Sequence, residues 1–246
     1  MSTWTEALIP DQSGRVVLIT GANSGIGLQA ARALAEHGAH VVLACRSRPK
    51  AEAARDQILA AAPSAQVSLV DLDLTSLAAV QVAAAEVIGR FDSLDVLINN
   101  AGVMATPHEV TVDGYELQFA TNHLGHAALT AHLLPLLLAT DASRVVTVSS
   151  LMAWSAWLDL GDLQSERRYS PMNTYSRSKL ADLVFMLELQ RRAAGSSVRS
   201  VGAHPGGSST NLQRHAFSGM MGVFGQSAAA GALPSLYAAT APDVQG

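Results

Sequence analysis

Between residues 15 and 203, short runs of β-branched and aliphatic residues alternate with alanine- and leucine-rich stretches whose apolar positions recur at helical spacing. The short runs are mostly apolar, which suits strands covered on both faces. Strands are predicted over 15–20, 40–45, 66–71, 94–99, 143–149 and 198–203, and helices near 25–37, 49–61, 76–89, 113–139, 173–194 and 226–240. Six strand–helix units with no Gly/Ser/Pro linker predict one domain over residues 1–246. The fold class is α/β, a doubly wound Rossmann-type parallel sheet of about six strands with right-handed crossovers.

Two segments break the rhythm. Residues 151–171 carry Trp154 and Trp157 without a clear period, and residues 206–225, with five glycines, read as a mobile loop. Both follow carboxyl ends of strands, where open α/β sheets bind ligands. Trp154 or Trp157 and the pair Met220 and Met221 are therefore expected to line an apolar cleft, with burial of either tryptophan in the core as the alternative.

Composition narrows the classes. Apolar residues make up 49% of 246, enough for a continuous core, and a net charge of −4 with no long basic run excludes a nucleic-acid partner. The single cysteine, Cys45, has no partner for a disulfide, which suits a reducing cytoplasm. The most apolar stretch, 127–139, is interrupted by His132 and Pro135 and is too short for a membrane span, and residues 1–12 lack a signal-peptide layout. Only two residues are lysines, Lys50 and Lys179, so a lysine inside a motif is informative.

The first strand runs into Gly21, Ala22, Asn23, Ser24, Gly25, Ile26 and Gly27, followed by a helix. Glycines there let the backbone turn sharply and approach a pyrophosphate, and the helix supplies free N–H groups and the positive end of its dipole. A glycine triplet alone also fits a plain strand–helix turn. Its spacing, three residues and then one, resembles that of the short-chain dehydrogenase/reductase family, and the resemblance extends over nearly the whole chain. Asn99-Asn100-Ala101-Gly102 resembles the family's N-N-A-G motif, Leu72-Asp73-Leu74-Thr75 its adenine-contacting segment, and Tyr175-Ser176-Arg177-Ser178-Lys179 its Y-x-x-x-K. Pro205-Gly206-Gly207-Ser208-Ser209-Thr210 is similar to its P-G-x-x-x-T.

The resemblance implies a nicotinamide cofactor and a site of Ser150, Tyr175, Lys179 and Asn122. An unperturbed tyrosine is too weak a base at neutral pH; an ammonium one helical turn away favours the phenolate, so Tyr175 is the expected general acid/base with Lys179 beside it. Ser150 would orient the substrate oxygen, with Ser149 as the alternative serine. By resemblance Lys179 also holds the nicotinamide ribose, Asn122 bends its helix and connects to Lys179 through water, and Asp73 accepts from the adenine amino group. The remaining cofactor contacts fall to Gly21, Asn23, Ser24, Gly25, Ile26, Gly27, Leu74, Asn100, Ala101, Gly102, Pro205, Gly206 and Thr210.

After the second strand stand Cys45-Arg46-Ser47-Arg48 with no acid before Glu52. NAD sites place an acid there, whereas a guanidinium matches a 2′-phosphate, so Arg46, with Ser24 or Arg48, points to NADP(H). His123, His126 and His132 lack a third ligand at fitting spacing, and no metal is expected.

The long spacing from Ser150 to Tyr175 resembles the branch of retinol dehydrogenases and protochlorophyllide reductases, in soluble bacterial form. Gly246 falls where members usually enter a seventh strand, which is expected to be missing. The reading is an NADP(H)-dependent oxidoreductase interconverting an alcohol and a ketone or aldehyde on an apolar small molecule. Two alternatives stay open, reduction of a carbon–carbon double bond and a non-catalytic NADP(H)-sensing module. Monomer and homo-oligomer are left undecided.

Overall fold

The computed structural model describes residues 4–207 and 226–244. Strands β1 (Val16–Thr20), β2 (His40–Cys45), β3 (Gln66–Asp71), β4 (Val96–Asn99), β5 (Arg144–Val148) and β6 (Arg199–Ala203) form one sheet in the order β3-β2-β1-β4-β5-β6. Every adjacent pair is parallel. The helices are α1 (Gly25–Glu36), α2 (Arg48–Ala61), α3 (Leu77–Arg90), α4 (Leu117–Phe119), α5 (Gly125–Ala139), α6 (Pro171–Arg192) and α7 (Ala228–Thr240). Among the described residues no helix is long and apolar enough to cross a membrane.

Apolar runs become two cores because successive strand residues point to opposite faces. Val17, Ile19, Val41, Leu43 and Ile98 pack on the side of α1, α2 and α7, while Leu18, Val42, Leu97 and Val145 pack on the side of α3 and α5. Complete burial of each such side chain contributes about 1.5–3 kcal/mol, which is why the central strands β1, β2 and β4 are apolar between their ends.

The expected strands and helices are present with ends within two residues, apart from the helix expected over 113–139. That helix starts only at Leu117 and is divided into α4, a π-helical turn at Ala120–Leu124, and α5. Glu116 explains the late start. Its backbone is extended, and its buried carboxylate accepts from Gln118 N at 2.9 Å and Phe119 N at 2.7 Å, capping the helix. Asp113 is used elsewhere, accepting from Leu77 N at 2.7 Å at the start of α3. Two 3-10 turns, Glu6–Leu8 and Leu151–Ser155, were too short to give a period.

Where the π-turn runs into α5, the helix passes so close to the loop after β3 that a Cβ on Gly125 would lie 2.5 Å from Leu74 O. Gly89 in α3 faces open space. Alanine normally stabilises a helix relative to glycine by up to about 1 kcal/mol, whereas an overpacked contact costs about 1–3 kcal/mol. Gly89→Ala should therefore raise the urea midpoint and Gly125→Ala lower it; a rise in both would show that the Leu74 contact carries no constraint.

Candidate active site

The strand order turns back between β1 and β4, so a crevice opens above their carboxyl ends. Gly21 lies at φ +66° and Gly25 at φ +55°, in the left-handed region that favours glycine. A Cβ on Gly27 would fall 2.5 Å from Asn100 Nδ2 and 2.7 Å from Gly21 O. The loop can thus fold onto the segment after β4 only as bare backbone. Ser24 occupies the N-cap position of α1 without capping it through its side chain, leaving first-turn N–H groups of the helix to another acceptor.

These residues line a cleft of about 310 Å³. Asn23, Ser24, Gly25 and Ile26 form its wall with Gly21 and Gly27; Asp73 and Leu74 enter from the loop after β3; and Asn100, Ala101 and Gly102 form the β4 side. Arg46 stands at its mouth, exposed, with no ion pair or side-chain hydrogen bond among the described residues. Arg48 departs from expectation. It pairs with Asp71 at 3.0 and 3.1 Å and is occupied there, while Lys50, which sequence reasoning left unassigned, lines the cleft from the first turn of α2. Asp73 uses Oδ1 to accept from Thr75 N at 2.9 Å and Thr75 Oγ1 at 2.7 Å, which fixes the turn and leaves Oδ2 without a partner among the described residues.

Thr20, to which sequence reasoning gave no role beyond opening the glycine loop, fastens the floor. Its Oγ1 accepts from Asn100 N and Ala101 N, each at 2.9 Å, and Asn100 Nδ2 donates to Thr20 O at 2.8 Å. His126 Nε2 lies 2.8 Å from Thr20 Oγ1, and His126 Nδ1 lies 2.8 Å from Asn122 O. A carbonyl can only accept, so Nδ1 carries the ring proton and Nε2 accepts from the threonine hydroxyl.

The residues expected to react stand on α6 and at the end of β5. Tyr175, Ser178 and Lys179 are buried on one side of α6. Lys179 Nζ donates to Val148 O at 2.9 Å and to Asp182 Oδ2 at 3.0 Å. Burial works to lower the Lys179 pKa, but the Asp182 carboxylate, with Tyr175 adding to it, outweighs burial and holds the ammonium above its ordinary value. Ser149 Oγ donates to Lys179 O at 2.8 Å, whereas Ser150, half-buried at the start of the 3-10 turn, accepts from Met152 N at 3.2 Å and keeps its own proton free among the described residues. Asn122 sits in the π-turn. Its Oδ1 accepts from Val103 N at 2.8 Å, and its Nδ2 donates to Val103 O and Ser178 Oγ, each at 2.9 Å.

Pro205 and Gly206 follow β6, with Gly206 at φ +67° and Pro205 O accepting from Gln226 Nε2. Thr210, Met220 and Met221 lie outside the described residues. Trp154 and Trp157 are 86% and 80% exposed, which removes the core alternative for both. The aperiodic segment after them is held by side chains. Tyr169 Oη donates to Thr106 O and accepts from Gln118 Nε2, each at 2.8 Å, and Gln164 Oε1 accepts from Glu116 N at 2.8 Å. Cys45 is buried, and burial pushes its thiol up to about 11, so it stays protonated at neutral pH.

Burial drives the pKa of His126 down to about 4, against the hydrogen bond to Asn122 O. The unfolded chain, with an ordinary histidine near 6.5, binds the proton first as pH falls. Stability associated with His126 is complete above pH 6.5 and is lost as pH drops from about 6.5 to 4, by about 3 kcal/mol. Urea titrations across that range should show a slope that loses about one proton in His126→Gln. In the wild type, a His126 ring resonance that titrates above pH 6 would contradict this account.

Comparisons with known proteins identify the family. A family model described as short chain dehydrogenase matches residues 15–220. Retinol dehydrogenase 13 of Homo sapiens is 44% identical over 212 residues, 86% of this chain and 63% of that protein, so the match spans less than two thirds of its length. Retinol dehydrogenase 14 of Mus musculus is 42% identical over 252 residues, covering 95% of this chain and 75% of that protein. An uncharacterized protein from Mycobacterium paratuberculosis superposes with a TM-score of 0.84 at 47% identity, covering all of this chain and 83% of that one. With a Rossmann-type sheet, a glycine-lined crevice at its turning point and these relatives, the chain belongs to the short-chain dehydrogenase family.

Proposed function

We propose that the protein is an NADP(H)-dependent oxidoreductase that interconverts an alcohol and a ketone or aldehyde on an apolar small molecule. The observation that carries the reading is the bond from Lys179 Nζ to Val148 O, which draws the Tyr175–Lys179 side of α6 to the carboxyl end of β5, next to Ser149 and Ser150. A nicotinamide bound in the crevice would give or take the hydride. The chain's own residues handle the oxygen and its proton. Tyr175 donates the proton to a carbonyl or removes it from an alcohol, and the ammonium of Lys179 stabilises the phenolate. Ser150 donates to the substrate oxygen where negative charge develops; Ser149, whose hydrogen is given to the Lys179 carbonyl, is the weaker candidate.

Two features support NADP(H). Arg46 is a free guanidinium among the described residues at the mouth of the cleft and Lys50 lines the same cleft, so a 2′-phosphate there would find two cations and no competing carboxylate from the end of β2. The cleft's bare glycines suit a pyrophosphate at the start of α1, and the partnerless Asp73 Oδ2 suits an adenine amino group. An apolar substrate is favoured by Leu151, Met152, Trp154 and Trp157, which follow Ser150 directly and are exposed, and by relatives named retinol dehydrogenases. A lone buried cysteine and no membrane-crossing helix among the described residues favour a cytoplasmic site of action.

Titration calorimetry should give at least tenfold tighter binding of NADPH than NADH, about 1.4 kcal/mol, and Arg46→Asp should reverse the preference. Equal affinities in the wild type would remove the assignment. Following NADPH oxidation over a panel of apolar ketones and aldehydes, Tyr175→Phe should lower kcat by about 10²–10⁴ while leaving the NADPH Kd within twofold. Near-normal turnover would remove Tyr175 from the reaction.

A further inference from the structure

The reading of Tyr175 and Lys179 leaves one buried charge unused. Asp182 lies one turn beyond Lys179 on α6 and is 2% exposed, and its Oδ2 is 3.0 Å from Lys179 Nζ. Its Oδ1 faces the π-turn, 3.5 Å from His123 Nδ1, and that histidine packs against Phe119 and Phe185. A surface helix gains nothing from burying a carboxylate; a buried ion pair is retained only where geometry needs it. Lys179 is equally enclosed, 5% exposed, and an ammonium at such a site loses its proton unless a counter-charge stands beside it.

We propose that Asp182 is a positioning residue for the reaction: its carboxylate keeps the buried Lys179 charged and, together with the Val148 carbonyl, fixes its direction. An ammonium has three donors. Two are spent within the protein, on Asp182 Oδ2 and Val148 O, and lie at the end of β5 and on α6 itself. The third is left for the cofactor ribose. The groups facing the pair are Tyr175 on its own helix and, from the π-turn and α5, His123 and His126; His126, neutral with both ring nitrogens bonded, adds no positive charge there. Asp182 is therefore the one anion facing Lys179 among the described residues. It belongs to no motif and acts through Lys179.

This inference rests on Tyr175 and Lys179 as the reacting pair, and its first readout needs no cofactor. The chain has two lysines, Lys50 exposed and Lys179 buried, so a protein labelled with 13C at lysine Cε gives two resolvable titrations. In the wild type the Lys179 resonance should remain that of an ammonium up to and beyond the ordinary lysine value of about 10.4; titration below that would overturn the proposal, including where no Asp182 variant folds. Asp182→Asn keeps the shape and removes the charge, and should bring the Lys179 titration down by about 1 pH unit or more. Asp182→Glu should restore it. Fluorescence titration of NADPH should then show a Kd close to wild type at pH 6 that weakens at least fivefold once the pH is about 1 unit above the Lys179 titration measured in Asp182→Asn, with the wild type unchanged at that pH, and the alkaline limb of kcat/KM should move down with it. An unchanged lysine titration, or a lowered one with a pH-independent NADPH Kd, would overturn the positioning role. Failure of the wild type to bind NADPH at any pH would instead remove the proposed function, and the lysine titrations would still decide whether Asp182 keeps Lys179 charged.

Discussion

The hydroxyl of Thr20 holds the fork on which the site depends. Beyond the last ladder bond the ends of β1 and β4 separate, because β1 leads outward to β2 and β3 while β4 leads to β5 and β6. The N–H groups of Asn100 and Ala101 have no strand partner there, and Thr20 Oγ1 accepts from both. Its single hydrogen goes the other way, to His126 on α5. One side chain thereby ties the first strand, the segment after the fourth and the central helix of the opposite layer. Valine would fill the same volume and satisfy none of them. The fork also explains the glycines: with Asn100 drawn onto Thr20, no room is left for a Cβ on Gly27.

From this fork a line of buried polar groups runs towards α6. His126 passes from Thr20 to the Asn122 carbonyl, and Asn122 passes from Val103 to Ser178, whose hydroxyl donates to the Tyr175 carbonyl at 2.7 Å. Each of these side chains is satisfied on both sides, the condition under which a buried polar network adds order instead of cost. The π-turn is part of that arrangement. It brings Asn122 inward to Val103 and Ser178, and it places the next residue, His123, against Asp182. The position of Tyr175 is thus set from two directions, by the sheet through Lys179 and by the central helix through Asn122.

How much of this was legible in the sequence follows from the kind of force at each point. The sheet and its helices were, because a strand buried on both faces must be apolar throughout and a covering helix must show its period. The glycine loop was, because a missing Cβ restricts the residue type. Thr20, Lys50 and Asp182 were not. Threonine ends many strands, a lysine in a first helical turn has no distinctive neighbours, and an aspartate three residues after a lysine reads as a solvated pair until burial is known. The late start of α4 was hidden for a similar reason: Glu116 fits a helix by composition and acts as its cap only because its backbone is extended. The ion pair of Arg48 was not legible because its partner, Asp71, comes from a neighbouring strand, 23 positions away.

The two ends of the crevice therefore respond to change differently. At the glycine end the shape is carried by main chain, so side chains such as Arg46 and Lys50 can vary with little effect on the fold and act on what is bound. At the end that holds Tyr175 and Lys179 the shape is carried by buried polar side chains bonded across the fold, to a main-chain carbonyl 31 positions away, as in Lys179 to Val148, or to another side chain 106 away, as in Thr20 to His126. A substitution there leaves a buried partner unsatisfied, so stability and function are expected to change together. Cofactor preference can accordingly be altered within this fold without rebuilding it, whereas the proton-handling residues are constrained as a set.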